Sequence, residues 1–413
     1  MKRIIILIIL RINVAKSTVF AAGRGKQELE VAAGEAGLTV SALPKKYLGL
    51  PLTTKTMTRH DYDPLLVKIR NRLLSWTSKS LSFAGRLQLI KSVIASITNF
   101  WCSAFCLPQA CIDEIDSMCS AFLWSGSPNI TTRAKVAWEE VCCLKKEGGL
   151  GVQKIKEVSL VFALKLIWRL FTDSESLWGK WVKQTLLRGV SFWDVKEGST
   201  GSWVWKKLLQ LRPVAQRFLK MDIHDGKLVK FWTDIWHPIG RLIEIVGDRG
   251  RLKLGIAISA CIADVLVENV WRFRRTRDTT VQNMIVKVQE LGVELETNVQ
   301  DEVLWKRKDD ENGREFSAAT TWEHIRCKRP VVVWSKLIWF AQGVPRYAFI
   351  AWLAVKDRLS TGSKMRAWGQ VQCCVFCGEP DETRNHLFFA CPYSYTLWLQ
   401  VIGTLLRPPP SPD

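Results

Sequence analysis

Four residues near the C-terminus have the types and the spacing of a metal site. Cys374, Cys377, His386 and Cys391 follow the pattern C-x2-C-x8-H-x4-C. Thiolate sulfur and imidazole nitrogen suit Zn2+, and four protein ligands complete its tetrahedral shell and leave no position for a substrate. The pattern therefore predicts a structural zinc site. Buried free cysteines and a disulfide are the alternative interpretations, and Cys373 is a competing ligand next to Cys374.

Local turns and helix ends must bring these four ligands together. The two residues between the first two cysteines allow one tight turn to present both sulfurs, and Gly378 suits the positive φ that turns the backbone toward the metal. Thr383 or Asp381 is predicted to cap a short helix that carries His386. Pro392 is predicted to occupy the first position of the next helix.

The overall charge favours an acidic partner. The chain has 413 residues and a formal net charge of +20, from 59 Lys and Arg against 39 Asp and Glu. Nucleic acid is the simplest partner for such an excess, and an anionic membrane surface is the second. Because 47% of the residues are hydrophobic, the chain can bury real cores, which excludes wholesale disorder.

The cysteines and tryptophans point to a reducing compartment and to packed helices. The twelve cysteines show no regular framework, and several lie in apolar helical stretches, where a thiol behaves as a small hydrophobe. Most of the 20 tryptophans are expected to be buried, and stacking on bases is the alternative for a few.

Helical periodicity dominates the chain, so we predict a mainly α fold with small β-hairpins. Asp63 is predicted to cap the first long helix, with Pro64 at its first position. The predicted helices cover 63–79, 87–97, about 109–124, 156–188, 200–212, 331–341, 345–357, about 360–368 and about 392–405. The predicted β elements are a buried strand over Ile4–Leu10, a strand at 17–20, a hairpin over 225–236, and a hairpin over 302–317 that turns at Glu311-Asn312-Gly313.

Basic residues on two groups of predicted helices are candidates for phosphate contact. The first group comprises Lys68, Arg70, Arg72, Lys79, Arg86 and Lys91, and the second comprises Arg346, Lys356, Arg358, Lys364 and Arg366. An ordinary solvated helix face is the alternative for each group.

Several motifs, in this order along the chain, resemble the C-terminal half of plant non-LTR (LINE-type) retrotransposon reverse transcriptase polyproteins. They are Tyr47–Leu52, Ser82–Ile90, Gly148–Gly151 and Pro345–Cys391. The likeness runs from about Ile12 to Trp398. Its zinc stretch resembles the reverse-transcriptase zinc-binding domain of that family.

The resemblance implies an organisation for the whole chain. Residues 1–44 would be a remnant of the polymerase palm edge, 45–126 a thumb-like helical bundle, 127–330 a Trp-rich connector, 331–402 the zinc-binding domain as a small helical module, and 403–413 a disordered tail. The family's polymerase needs a Tyr/Phe-x-Asp-Asp loop to hold two metal ions. Asp309-Asp310, the only Asp-Asp pair, follows Arg307-Lys308 in a predicted hairpin turn. Because this loop, the endonuclease and the RNase H regions are all missing, we expect no catalysis.

The resulting hypothesis is non-catalytic binding of RNA or an RNA–DNA hybrid, with Zn2+ as a structural cofactor. A complete retroelement protein is a further candidate partner, whereas neither a membrane nor a small-molecule substrate is expected. The apolar start is a weak match to a signal peptide, so we expect an intracellular location, in the nucleus or the cytoplasm. A protein-interaction or scaffold module and a decayed open reading frame without selected function are the alternatives.

Overall fold

A computed structural model describes residues 13–14, 17–21, 25–42, 45–52, 56–172, 176–198, 201–296, 298–309 and 311–402. The strand predicted over Ile4–Leu10 and the disordered tail predicted at 403–413 lie outside the described residues, as does Asp310. Within them helices predominate and the strands are short, so the mainly α fold class is confirmed.

The helices are distributed along the whole described chain. They are α1 (Lys26–Glu35), α2 (Arg59–Thr77), α3 (Phe83–Leu89), α4 (Ala95–Cys102), α5 (Gln109–Ser125), α6 (Trp138–Val141), α7 (Ile155–Thr172), α8 (Leu177–Trp181), α9 (Trp203–Gln210), α10 (Arg212–Ala215), α11 (Leu242–Leu254), α12 (Ile262–Val265), α13 (Thr279–Glu290), α14 (Ala318–Ile325), α15 (Ser335–Ile338), α16 (Pro345–Val355), α17 (Gly362–Arg366) and α18 (Pro392–Ile402). A 3-10 turn covers Lys145–Glu147, and π-helical turns cover Ile90–Ile94, Val182–Leu187 and His386–Ala390.

The strands of the described residues form four small sheets. They are β1 (Thr18–Val19), β2 (Thr39–Val40), β3 (Lys45–Tyr47), β4 (Leu50–Leu52), β5 (Leu219–Asp222), β6 (Leu266–Val267), β7 (Val270–Trp271), β8 (Glu302–Lys308) and β9 (Glu311–Gly313). Three strands join in the order β5-β8-β9, and both pairings are antiparallel. The other sheets have two strands each: β1 and β2 are parallel, whereas β3-β4 and β6-β7 are antiparallel.

The start of α2 differs from the sequence prediction. The helix begins at Arg59, and Asp61 accepts hydrogen bonds from the backbone N–H and the hydroxyl of Thr58, at 2.7 and 2.8 Å. Asp63 and Pro64 therefore lie inside the helix, not at its start, and the capping contacts at this end join Asp61 and Thr58. The predicted apolar stripe is confirmed, since Leu65, Leu66, Ile69 and Leu73 are all buried.

The hairpin predicted over 225–236 does not form. The carboxylate of Asp301, which directly precedes β8, accepts four backbone N–H groups of the loop after β5. These belong to His224, Gly226, Leu228 and Val229, at 2.8, 2.8, 2.9 and 3.1 Å. Amides bonded to a carboxylate cannot pair with a neighbouring strand, so the segment is a loop fixed at its base.

The turn predicted at Glu311-Asn312-Gly313 is also wrong, because these residues form β9. Lys308 pairs with Glu311 and Trp305 pairs with Gly313, so the chain reverses between Lys308 and Glu311. A register shift between Lys306 and Lys308 accommodates the short connection.

Contacts divide the chain into two compact units. Unit 1 comprises the described residues within 1–64, 101–108 and 159–324, and unit 2 comprises the described residues within 65–100, 109–158 and 325–413. The domain boundaries predicted from the sequence stay predictions. In the part of the chain that the structure describes, no helix combines the length and the apolar composition needed to cross a bilayer.

Tryptophans occupy the core of unit 1. Trp305 is fully buried, stacks on Phe218 at 5.3 Å and meets the edge of Trp168 at 5.6 Å between ring centroids. Its indole N–H donates to the hydroxyl of Thr321 at 2.8 Å. The expectation that tryptophans are mainly core residues is confirmed for Trp168 and Trp305, because both side chains are buried.

Unit 2 has an aromatic core built from distant segments. Phe83 of α3 stacks on Phe349 of α16 at 5.2 Å, and Trp124 of α5 stacks on Trp352 at 6.4 Å. The indole N–H of Trp352 donates to the carbonyl of Gly148 at 2.9 Å. These contacts attach α16, which lies upstream of α17 and the zinc motif, to residues of the predicted bundle.

Candidate functional site

Three short structural features position the four predicted zinc ligands. Cys374 and Cys377 lie in one turn, closed by a 2.9 Å hydrogen bond from the N–H of Gly378 to the carbonyl of Cys374. Gly378 has a φ of +78°, as predicted. His386 begins a π-helical turn, and Cys391 directly precedes α18, which begins at Pro392.

The four side chains converge in the structure. Their ligand atoms all lie within 4.8 Å of one another. The sulfurs of Cys374 and Cys391 are 4.0 Å apart, and the sulfur of Cys377 is 3.1 Å from Nε2 of His386. Zinc bond lengths of about 2.0–2.3 Å place neighbouring tetrahedral ligand atoms roughly 3.4–3.8 Å apart, so the arrangement fits Zn2+.

Backbone groups support the ligands from outside the cluster. The N–H of His386 donates to the hydroxyl of Thr383 at 3.1 Å, which confirms one of the two predicted caps. Hydrogen bonds from the backbone N–H groups of Ser394 and Tyr393 lower the pKa of Cys391, which favours the thiolate that a metal requires. Such contacts fix the orientation of a ligand before the metal binds.

The competing ligand Cys373 lies outside the cluster. Its side chain is exposed, whereas Cys374 is buried among the other ligands. A metal held here would have four protein ligands, so it would supply folding energy to the surrounding turn and helices and no open position for chemistry.

Six of the predicted phosphate-contacting residues are engaged inside the molecule. Arg86 donates to the carbonyl of Leu123 at 3.3 Å, and Lys91 donates to the carbonyl of Leu150 at 2.9 Å. Burial lowers the pKa of both side chains. The other four form ion pairs: Arg70 with Glu114, Lys356 with Glu140, Lys364 with Asp357 and Arg366 with Asp381, at 3.3, 2.9, 2.9 and 2.7 Å.

The remaining five predicted residues are exposed. They are Lys68, Arg72, Lys79, Arg346 and Arg358. Among the described residues none of these five has a hydrogen bond or an ion pair from its side chain, although Arg72 lies 5.8 Å from the ring centre of Trp76. These cations are the ones that can meet an external anion without breaking an internal contact.

A second group of potential ligands was missed in the sequence. Asp222, His224 and Glu302 place ligand atoms within 4.8 Å of one another, because Asp222 and Glu302 are cross-strand partners in β5 and β8. Glu302 also forms an ion pair with Arg314, and Nε2 of His224 lies 3.6 Å from Asp222. Ion pairing accounts for this group, and the pairing register that creates it was not visible in the sequence.

Comparison with known proteins assigns the C-terminal region. Residues 316–398 match the family described as zinc-binding in reverse transcriptase. This region is therefore similar to the zinc-binding domain of reverse transcriptases. The resemblance predicted from the C-terminal motifs is thereby confirmed. The four converging ligands all lie within this reverse-transcriptase zinc-binding domain.

Two proteins of Arabidopsis thaliana extend the similarity beyond the reverse-transcriptase zinc-binding domain. One, named "Putative ribonuclease H protein", is 26% identical over 363 residues, which cover 86% of this chain and 58% of that protein. The other, named "Uncharacterized mitochondrial protein", is 25% identical over 135 residues, which cover 32% of this chain and 88% of that protein. The chain thus spans little more than half the length of the first relative.

Proposed function

We propose that this chain is a nucleic-acid-binding part of a retroelement reverse transcriptase, with RNA or an RNA–DNA hybrid as its ligand. The observation that carries the proposal is a set of exposed cations, Lys68, Arg72 and Lys79, in a chain of net charge +20. Lys68 and Arg72 lie one turn apart on α2, away from its buried stripe, and Lys79 follows the last turn. Exposed cations spaced along one segment suit the regular spacing of phosphates.

Zinc has a structural part in this proposal. The Cys3His set would hold Zn2+ and stabilise the turn and helices around it, and the chain would contribute binding without catalysis. Asp309 supports binding without catalysis. Its carboxylate lies in the turn between β8 and β9 and forms an ion pair with Lys306 at 3.1 Å, so it is unlike a polymerase metal ligand. We also propose that the chain acts inside the cell, where cysteines stay reduced.

Binding across a salt series tests the proposal. The triple variant Lys68→Ala, Arg72→Ala, Lys79→Ala is compared with wild type on a structured RNA and a matched duplex DNA. Loss of three phosphate contacts should reduce the slope of log affinity against log salt by about two to three, because each contact releases counterions. A triple variant at Lys26, Lys227 and Lys308, which removes the same charge elsewhere, is the control.

The two variants distinguish binding at a local surface from binding that depends only on the net charge of the chain. We expect the control variant to bind nearly as well as wild type. Equal losses of affinity in both variants would mean that only the net charge determines binding. Absence of RNA binding by folded wild-type protein would refute the proposal.

A protein-interaction role is the second candidate, and one observation favours it. Val333, Leu337 and Tyr347 are 94%, 78% and 65% exposed, which is unusual for apolar side chains this close in sequence. Binding of a complete retroelement protein that is insensitive to salt and is lost in Leu337→Asp would support this role.

A further inference from the structure

A cavity in unit 1 is lined neither by the predicted zinc ligands nor by the exposed cations of α2. It has a volume of about 310 Å3 and lies between α7, α8 and α9. Its lining includes the indoles of Trp178, Trp181 and Trp205 and the side chain of Arg169. Binding sites for small organic groups have volumes of about 300–1,000 Å3 and mostly apolar walls, so the cavity is large enough for one flat ring system.

One wall of the cavity is rigid. Trp205 is buried and packs against Phe192, with 5.8 Å between ring centroids. Gly201, with a φ of +153°, approaches so closely that a Cβ at this position would lie 2.5 Å from Cδ1 of Trp205. The hydroxyl of Ser202 accepts from the N–H of Trp205 at 3.3 Å and caps α9. The Nε1 donor of Trp205 is buried and finds no acceptor among the described residues.

The opposite side of the cavity is open and cationic. Trp181 is 51% exposed although it lines the cavity, so its ring is available to a ligand. Lys180 and Lys183 are exposed on the same helical segment, and Arg169 reaches the cavity from α7. An aromatic surface bordered by cations matches a flat base that is attached to a phosphate backbone.

We propose that this cavity binds an unpaired nucleobase of a single-stranded nucleic acid, with Trp181 and Trp178 as stacking surfaces and Arg169 near the adjoining phosphate. The proposal rests on the proposed function, since it specifies which form of nucleic acid the chain prefers. A base inside a duplex is already stacked and paired, so it cannot enter a cavity of this kind without being extruded.

The test uses a short single-stranded RNA that carries a fluorescent purine analogue, and a duplex RNA of the same sequence. With full-length zinc-loaded protein, the analogue should be quenched in the single strand when it stacks on an indole. Trp181→Ala should abolish this quenching and weaken single-strand binding about tenfold, with duplex binding unchanged. Trp181→Phe, which keeps an aromatic face, should retain most of the affinity.

A neighbouring substitution provides the control. Leu177 lies on α8, is 86% exposed and does not line the cavity, so Leu177→Ala should behave as wild type. Thermal unfolding of each variant shows whether unit 1 stays folded.

The outcomes distinguish this inference from the proposed function. If wild type binds RNA and Trp181→Ala binds the single strand equally well, the inference is overturned and the proposed function stands. If wild type binds neither RNA, both fail. If Trp181→Ala instead abolishes self-association of the chain, a second copy occupies the cavity and the inference is also overturned.

Discussion

At the scale of single residues, Arg326 and Glu147 form a buried ion pair in unit 2. Two hydrogen bonds of 2.9 and 2.7 Å join them, and their side chains are 4% and 3% exposed. Arg326→Met should lower the free energy of unfolding by about 3–5 kcal/mol, because it leaves a buried carboxylate unpaired. Urea denaturation measures this change. The double variant with Glu147→Leu should recover most of the loss, and a single variant as stable as wild type would contradict the prediction.

The same pair predicts a pH dependence. Burial raises the pKa of Glu147, but the hydrogen bonds and charge of Arg326 outweigh it, so the pKa is lowered overall. The contribution of the pair is therefore complete above the usual glutamate pKa and is lost as the pH falls through the lowered value. The double variant should lose less stability than wild type on acidification, in denaturation series at several pH values.

The pKa of Asp116 is shifted in the opposite direction to that of Glu147. Burial raises its pKa from 3.8 to about 6. Its ionised form therefore costs stability, and this cost grows as the pH rises from the usual aspartate pKa to the raised pKa and is constant above it. Asp116→Asn should stabilise the protein at neutral pH by about 2–3 kcal/mol, and the gain should vanish below about pH 4. Equal gains at both pH values, from the same denaturation experiment, would attribute the effect to something other than ionisation.

At the scale of local elements, the Cys3His cluster joins a turn, a π-helical turn and the start of α18, and we propose that bound zinc holds them together. Cys374→Ser or Cys377→Ser should abolish stoichiometric zinc binding and increase hydrogen exchange over 362–402, because metal binding and local folding are coupled. Metal analysis and exchange measured by mass spectrometry test this. The exposed neighbour Cys373 is a matched control, and Cys373→Ser should keep the zinc. A chelator that leaves exchange over 362–402 unchanged would refute the structural role.

The turn after α6 depends on Gly149. A Cβ there would lie 2.2 Å from the carbonyl oxygen of Cys143 and 2.5 Å from that of Glu140. Gly149→Ala should destabilise the protein by about 1–3 kcal/mol or more, because backbone atoms cannot move aside easily.

Gly34, inside α1, has nothing within 4 Å of its added Cβ. Gly34→Ala should stabilise by about 0.5–1 kcal/mol in the same thermal or urea unfolding assay.

Elements that depend on neighbouring residues were predictable, and those that depend on distant ones were not. Gly378, the Thr383 cap and the helix start at Pro392 follow from residues a few positions apart. The hairpin predicted over 225–236 failed because Asp301 binds its amides, and Asp301 lies more than seventy residues away. Similarly, no local pattern shows that the half-buried side chains of Arg86 and Lys91 donate to carbonyls of other segments.

At the scale of the whole molecule, the reverse-transcriptase zinc-binding domain shares its core with earlier parts of the chain. Phe349 and Trp352 of α16 pack on Phe83 and Trp124 within unit 2. A fragment of residues 331–402 should therefore bind zinc but leave α16 unprotected against hydrogen exchange, since the aromatic face of that helix loses its partners. The full chain is the control, and slow exchange of 345–355 in the fragment would show that α16 is autonomous.

The ion pair between Glu147 and Arg326 also has a consequence for synthesis on the ribosome. The two residues are 179 positions apart in the chain. At translation rates of about 5–20 residues per second, Arg326 follows Glu147 by roughly 10–40 seconds. The Lys145–Glu147 turn thus emerges long before the arginine that neutralises its carboxylate. Unit 2 can close around that carboxylate only after Arg326 has been synthesised, and a chaperone that shields the nascent helices would act during this interval.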